Sequence, residues 1–196
     1  MLRNQRIATR MVLLLLIGGG VVLGAIIGMS YQTARALLET EMRNKAGYLA
    51  NATANRIETV EQAVEKIGGS LGTILELNPH TTEKEIYSLL RSFVKKNPEV
   101  FGSCAALVES EFTKNGYHVP YVYRKGDQLL ESDLGDPGYG YQTFDWYTLP
   151  RDLQRPVWSE PYYDEDGGGV LMVTYSVPVY ASHDRDRFLG VVTCDV

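Results

Sequence analysis

Residues 170–196 read VLMVTYSVPVYASHDRDRFLGVVTCDV. Two runs in this stretch, 170–180 and 188–195, are rich in Val, Tyr and Thr and are separated by turn-forming polar residues, the signature of β-strands. Two further strand-like runs lie upstream at 101–109 and 119–124. What precedes all four is helical. Residues 31–77 contain no proline, and Leu38, Met42, Ala46, Leu49, Thr53, Ile57, Val60, Val64, Ile67, Leu71 and Ile74 recur every three or four positions as one apolar stripe broken by a single Thr. From Leu38 to Ile74 such a helix extends about 54 Å, which reads as a stalk. Gly68, Gly69 and Gly72 are expected to weaken or break its far end. Asn78-Pro79 closes it, and Thr82 with Glu85 forms a capping box for a second helix. That helix buries Ile86, Leu89, Leu90, Phe93 and Val94 and ends at Asn97-Pro98. Helices first and antiparallel strands afterwards predict an α+β fold.

The 45 residues from 125 to 169 are too many for a structureless loop in a compact domain. They hold Tyr139, Tyr141, Tyr147, Tyr162 and Tyr163, with Tyr121 and Tyr123 at the threshold, and both tryptophans, Trp146 and Trp158. This aromatic density reads as a pocket wall or lid. Asp164-Glu165-Asp166 before Gly167-Gly168-Gly169 reads as a hairpin turn with solvated acids, since neither a following helix for phosphate nor calcium-loop spacing is present.

The chain has 196 residues, 44% of them hydrophobic, and a net charge of −5. Residues 1–30 carry three Arg and no acid, whereas the remainder carries 16 Lys and Arg against 24 Asp and Glu. So acidic a body is unsuited to nucleic acid, where affinity rests on cationic contacts to phosphate. Met11 to Met29 is an uncharged run of nineteen residues, about 28 Å as a helix and so matched to a bilayer. Arg3, Arg6 and Arg10 precede it and place the N-terminus in the cytoplasm, with everything after Ser30 outside. A cleaved signal peptide is the competing reading; the run exceeds the usual roughly 7–15 residues, and no clear Ala-x-Ala site follows. Gly20, Gly24 and Gly28 share one helix face that suits close pairing of two such helices.

Motifs for nucleotide binding, nucleophilic hydrolysis, zinc and thiol redox chemistry are absent from the sequence. His80, His118 and His183 fall in turns or strand edges, so no catalytic or metal-binding residue and no cofactor is expected. Cys104 and Cys194 are two small buried thiols or, if 101–109 and 188–195 are neighbouring strands, a pair that an oxidising compartment would let bond. GVVTCDV ends the chain on an apolar strand, which reads as a piece of a longer protein.

A membrane span, a stalk helix, a second helix and a tyrosine-rich sheet, with the motifs FDWYTLP, PVWSEPYYDEDGG, VTYSVPVY and GVVTCDV, resemble the extracytoplasmic double-Cache (PDC-type, PAS-like) sensor domains of bacterial transmembrane receptors. The resemblance covers roughly residues 31–196 and implies a PAS-like sheet flanked by helices as the membrane-distal unit. It further implies a proximal unit, a second span and a cytoplasmic output (phosphatase, histidine kinase, chemoreceptor or cyclase) beyond this chain. The expected organisation is 1–10 cytoplasmic, 11–29 transmembrane, 31–77 stalk and 78–196 ligand-binding unit, in a bacterial inner membrane and dimeric through stalk and span.

Relatives that bind amino acids carry a pocket motif that maps onto Tyr139, Trp146, Tyr147, Tyr162 and Asp195, with Asp164 assisting from the turn. Where that motif has an Arg to clamp the ligand carboxylate with paired hydrogen bonds, this chain has Phe144. The remaining aromatic and acidic groups suit a cation, at about 0.5–2 kcal/mol per ring contact. The resemblance therefore implies a sensor for an amine or another carboxylate-free small molecule, with no enzymatic activity in this segment. A membrane-anchored hydrolase using paired acids, or an anchored protein-interaction module with an exposed apolar patch, are the rival expectations.

Overall fold

The computed structural model describes residues 2–108, 118–165 and 167–196. Its first element, α1, runs Leu2–Leu77 without interruption. The chain divides into two units, Met1–Ile57 and Glu58–Val196. The first is helix alone; α1 carries the one segment among the described residues that is long and apolar enough to cross a membrane. Leu38, Met42, Leu49 and Ile57, the upper part of the apolar stripe, are each more than half exposed there.

In the second unit the lower part of that stripe is used. Val64 and Leu71 of the stripe are buried, as is Leu75 outside it, and Val60 and Ile67 pack against the same core. The expected break at the glycines does not occur. Gly68 and Gly72 instead lie against the sheet, so close that a Cβ at Gly68 would stand 2.9 Å from Tyr175 Cδ1 and one at Gly72 3.1 Å from Val177 Cγ1. Packing that only a bare backbone permits outweighs the helix-propensity cost of glycine, about 1 kcal/mol per residue. The helix α2 spans Glu83–Lys96 and starts as its capping box predicts, with Thr82 Oγ1 accepting from Glu85 N–H and the Glu85 carboxylate accepting from Thr82 N–H at 2.8 Å. Ile86, Leu90 and Val94 are fully buried. Its last turn is held by Arg124, whose guanidinium donates to Val94 O, to Asn97 O at 3.2 Å and to Val100 O at 2.9 Å.

The strands are β1 (Gly102–Leu107), β2 (Pro120–Lys125), β3 (Gln128–Asp133), β4 (Val157–Trp158), β5 (Tyr162–Asp164), β6 (Val170–Met172), β7 (Thr174–Ala181) and β8 (Asp184–Asp195). Among the described residues they form an antiparallel sheet in the order β3-β2-β1-β8-β7-β4 and a separate β5–β6 hairpin. The expected strand 170–180 is thus two strands in different sheets, and 188–195 starts earlier than its apolar run. Glu109, the expected end of the first strand, lies outside the described residues. The 125–169 stretch is folded as expected: it supplies β3, a 3-10 turn at Tyr141–Thr143, the helix α3 (Asp145–Leu153), β4 and β5.

Side chains alternate across a strand, which splits the core in two. Ala105, Leu107, Val122, Tyr175, Val177, Val192 and Cys194 face α1 and α2. Cys104, Ala106, Tyr121 and Val191 face the 3-10 turn and α3, whose Tyr141, Trp146 and Tyr147 close over them. β1 and β8 are neighbours, as a cysteine pair would require, yet Cys104 and Cys194 belong to opposite faces. Both are free and buried, and no bond can join them through the sheet.

Candidate functional site

The site lies on the α3 side of the sheet. Its floor is Cys104, Tyr121, Thr193 and Asp195 from β1, β2 and β8, and its walls are Leu134, Tyr139, Trp146, Tyr162 and Asp164. Each strand contributes alternate residues, so Thr193 and Asp195 point into the site while Val192 and Cys194 point to the opposite core. The enclosed space is about 10 Å³, room for about one water molecule.

Two hydrogen-bonded chains seal it. Tyr139 Oη donates to Asp164 Oδ2 at 2.6 Å, and Asp164 Oδ1 accepts from Gly167 N–H at 2.8 Å. Thr174 Oγ1 donates to Asp195 Oδ1 at 2.9 Å. Because Thr174 has one hydroxyl proton, Tyr162 Oη is the donor in its 2.8 Å contact with Thr174 Oγ1. The Tyr121 hydroxyl donates to Gly167 O at 3.0 Å and lies within reach of Asp195. Burial, reinforced by the neighbouring carboxylates, holds the hydroxyls of Tyr121, Tyr139 and Tyr162 protonated far above their ordinary range. Burial also pushes Asp195 from the ordinary 3.8 up to about 7; the hydrogen bond from Thr174 and the nearby hydroxyls of Tyr121 and Thr193 oppose the rise, and Asp164 adds to it. Asp195 and Asp164 are 4% and 7% exposed, and no Lys or Arg is among the lining residues.

Of the six residues expected to bind ligand, Tyr139, Trp146, Tyr162, Asp164 and Asp195 share this cavity. Tyr147 is not among its lining residues. It is buried against Tyr141, Trp146 and Phe188 in edge-on contacts, with the Arg151 guanidinium 5.7 Å from its ring centre. Its place is behind Trp146, as support. Phe144 precedes α3 and stacks on Tyr139 with ring centres 5.0 Å apart. Asp164 was expected to be a solvated turn acid; the turn instead folds its backbone N–H over the carboxylate, at Gly167, and Gly168 and Gly169 take φ of 112° and 69°, which side chains other than hydrogen rarely adopt. Glu165 of the same turn is exposed, and Asp166 lies outside the described residues. Trp158, expected near the pocket, packs on the opposite core, 5.0 Å from Tyr175, and donates to Glu65 Oε1 of α1 at 3.1 Å. Cys104, Leu134 and Thr193 are not singled out for the site by the sequence, and Tyr121 only as part of the aromatic density; period-two alternation within β1, β2 and β8 groups such positions by face, but only the strand order brings the three faces together.

A larger open groove of about 520 Å³ lies where α1 meets α2, lined by residues including Ile74, Leu77, His80 and Glu85. It has no buried charge. The small cavity has two, and buried charge without a matching cation is the stronger mark of a binding site.

A family model for the first PDC sensor domain of methyl-accepting chemotaxis protein-like receptors matches residues 86–196. Among solved structures, soHK1S-Z6, an extracellular domain assigned to a histidine kinase, is similar at TM-score 0.63 and 28% identity, over 73% of this chain and 55% of its own. Methyl-accepting chemotaxis protein X is similar at TM-score 0.64 and 18% identity, over 81% of this chain and 63% of its own. The ligand-binding domain of the Pseudomonas aeruginosa PAO1 amino acid chemoreceptor PctC, solved with GABA, is similar at TM-score 0.56 and 20% identity, over 78% and 62%. The chain thus spans less than two thirds of each of these structures. No curated protein sequence matches it significantly. Sheet order, helical cover and the match over more than half of the sequence agree: this chain belongs to the family of first PDC sensor domains of chemotaxis-receptor-like proteins.

Proposed function

We propose that this chain is the ligand-sensing module of a membrane-bound receptor and that its ligand is a small organic amine without a carboxylate. The observation that carries the reading is the pair of buried carboxylates, Asp164 and Asp195, in an aromatic-walled cavity whose lining has no cationic side chain. An ammonium placed there gains a charge-assisted bond to Asp195 and ring contacts with Trp146 and Tyr162. Phe144, stacked on Tyr139, offers a carboxylate nothing.

Residues 11–29 cross the bacterial inner membrane with 1–10 in the cytoplasm, and the stalk 31–77 leads to a periplasmic or extracellular unit 78–196. Exposed Leu38, Met42, Leu49 and Ile57 support a homodimer through the stalk, since an apolar stripe of that length is covered in a stable assembly. Ligand entry requires the wall to move, because the cavity holds about one water molecule. The bond from Trp158 to Glu65 supports a relay from the α3–β4 segment into α1. Only a ligand with different affinities for two arrangements drives such a relay.

The test is calorimetric titration of the whole chain in detergent with primary amines, amino acids and small carboxylates. Amines bind, Asp195→Asn abolishes the binding, and an amine at a hundred times its dissociation constant stabilises the fold by about 2.7 kcal/mol. Equal or tighter binding of amino acids overturns the amine assignment. The paired acids and the raised Asp195 also fit a hydrolase; product appearing during titration, in place of reversible binding, would favour that reading.

A further inference from the structure

The Ser176 hydroxyl is 1% exposed and has no hydrogen-bond partner. A buried hydroxyl without a partner is a net cost to the fold and calls for a function. Ser176 is on β7 two residues after Thr174, so both project from the same face, and Thr174 is the residue that binds Asp195. Tyr175 and Val177 face the other core. In the register of β7 and β8, Ser176 stands opposite Thr193 and Thr174 opposite Asp195. Thr193 is a floor residue of the cavity, with its hydroxyl donating to Cys104 Sγ at 3.3 Å and accepting from Cys104 N–H at 3.1 Å. Ser176 is therefore one cross-strand step beyond the cavity floor and diagonal to Asp195, a relation that separates residues by about 7–8 Å and their Cβ atoms by somewhat less.

We propose that Ser176 is a second polar contact of the ligand site, pairing with a terminal hydroxyl on a short amine whose ammonium lies against Asp195. This rests on the amine reading above and adds the class of ligand: an amino alcohol with about four carbons between its two polar ends, the length that fills the diagonal when each end is at hydrogen-bond distance. A neutral hydroxyl suits the far end. A second ammonium at that end would be buried beside neutral hydroxyls, since Ser176 stands opposite Thr193 and not opposite an acid. A carboxylate would meet no cation among the lining residues. The hydrocarbon between the two ends lies over Thr193 and under Trp146, both cavity residues.

The probes are butylamine, aminobutanol and diaminobutane, titrated calorimetrically into the whole chain in detergent and into its Ser176→Ala variant. Aminobutanol binds about fivefold more tightly than butylamine, the range of one net hydrogen bond, and Ser176→Ala removes that advantage while leaving butylamine affinity and the unfolding midpoint without ligand unchanged or higher. Equal affinities for aminobutanol and butylamine, or tightest binding of diaminobutane, overturn the proposal while the amine reading stands. Equal loss of both ligands in Ser176→Ala, or a lowered unfolding midpoint, identifies the hydroxyl as structural, bonded to an ordered water, and overturns it too. Failure of all three probes to bind removes the amine reading and this inference together.

Discussion

Replacing Asp195 with Asn tests the electrostatics of the cavity without any ligand. Asp195 is 4% exposed and pushed from 3.8 to about 7, chiefly by burial. The folded state therefore holds its proton more tightly than the unfolded state. Stability from this group is fully present below the unfolded value and is lost as pH rises through about 7. At about 1.4 kcal/mol per pH unit, the interval from 3.8 to about 7 amounts to roughly 4 kcal/mol. Asn keeps an acceptor for the Thr174 hydroxyl but cannot ionise. Urea unfolding followed by tryptophan fluorescence, at several pH values from 4 to 8, is the assay. The variant is expected to gain on the native protein by roughly 4 kcal/mol between those limits, because carboxylates outside the cavity titrate alike in both and cancel in the difference. A ligand cation that binds the ionised form gives the companion result: below about pH 7 its affinity falls about tenfold per unit. Parallel pH curves for the two proteins would refute the buried, raised carboxylate and, with it, the electrostatic case for a cationic ligand.

Adjacent glycines in α1 should respond in opposite directions. Gly68→Ala sets a Cβ 2.9 Å from Tyr175 and costs about 1–3 kcal/mol by overpacking, whereas Gly69→Ala meets nothing within 4 Å and stabilises by up to about 1 kcal/mol; thermal unfolding of the two variants decides. Arg124→Ala releases Val94 O, Asn97 O and Val100 O and lowers stability by about 2–3 kcal/mol in urea, and Lys does not restore it, since one ammonium cannot reproduce the fork of donors. Thr82→Ala removes the α2 cap and costs about 1 kcal/mol, read by the same unfolding assay. Oxidising treatment of the folded monomer leaves Cys104 and Cys194 unbonded to each other, checked by mass spectrometry, because they face opposite cores.

Local chemistry was legible wherever it stayed local. Thr82 and Glu85 announce the start of α2 because the cap is made within one turn; β2 and β8 are legible from their Val, Tyr or Thr content, and β1, GSCAAL, only as a short apolar run. α3 and β3 were not assigned: α3 contains Pro150, and β3 is an edge strand whose Leu129 and Leu130 sit between charged and polar residues. The resemblance names Tyr139, Trp146, Tyr162 and Asp195, which the fold brings into one cavity, and Tyr147, which the packing of α3 sets behind Trp146.

What the sequence determined by itself was therefore the set of elements with a strong period or cap, the apolar run near the N-terminus and the acidic, aromatic character of the unit beyond it. The tertiary structure alone decided which residues meet. Ser176 opposite Thr193, Thr174 opposite Asp195 and Cys104 turned away from Cys194 are consequences of strand order and register. A shift of one residue in register exchanges the two faces of a strand. The tight turn between β7 and β8 helps to set their register, but the pairing of β8 with β1 joins segments distant in sequence, and no local pattern in either one names its partner.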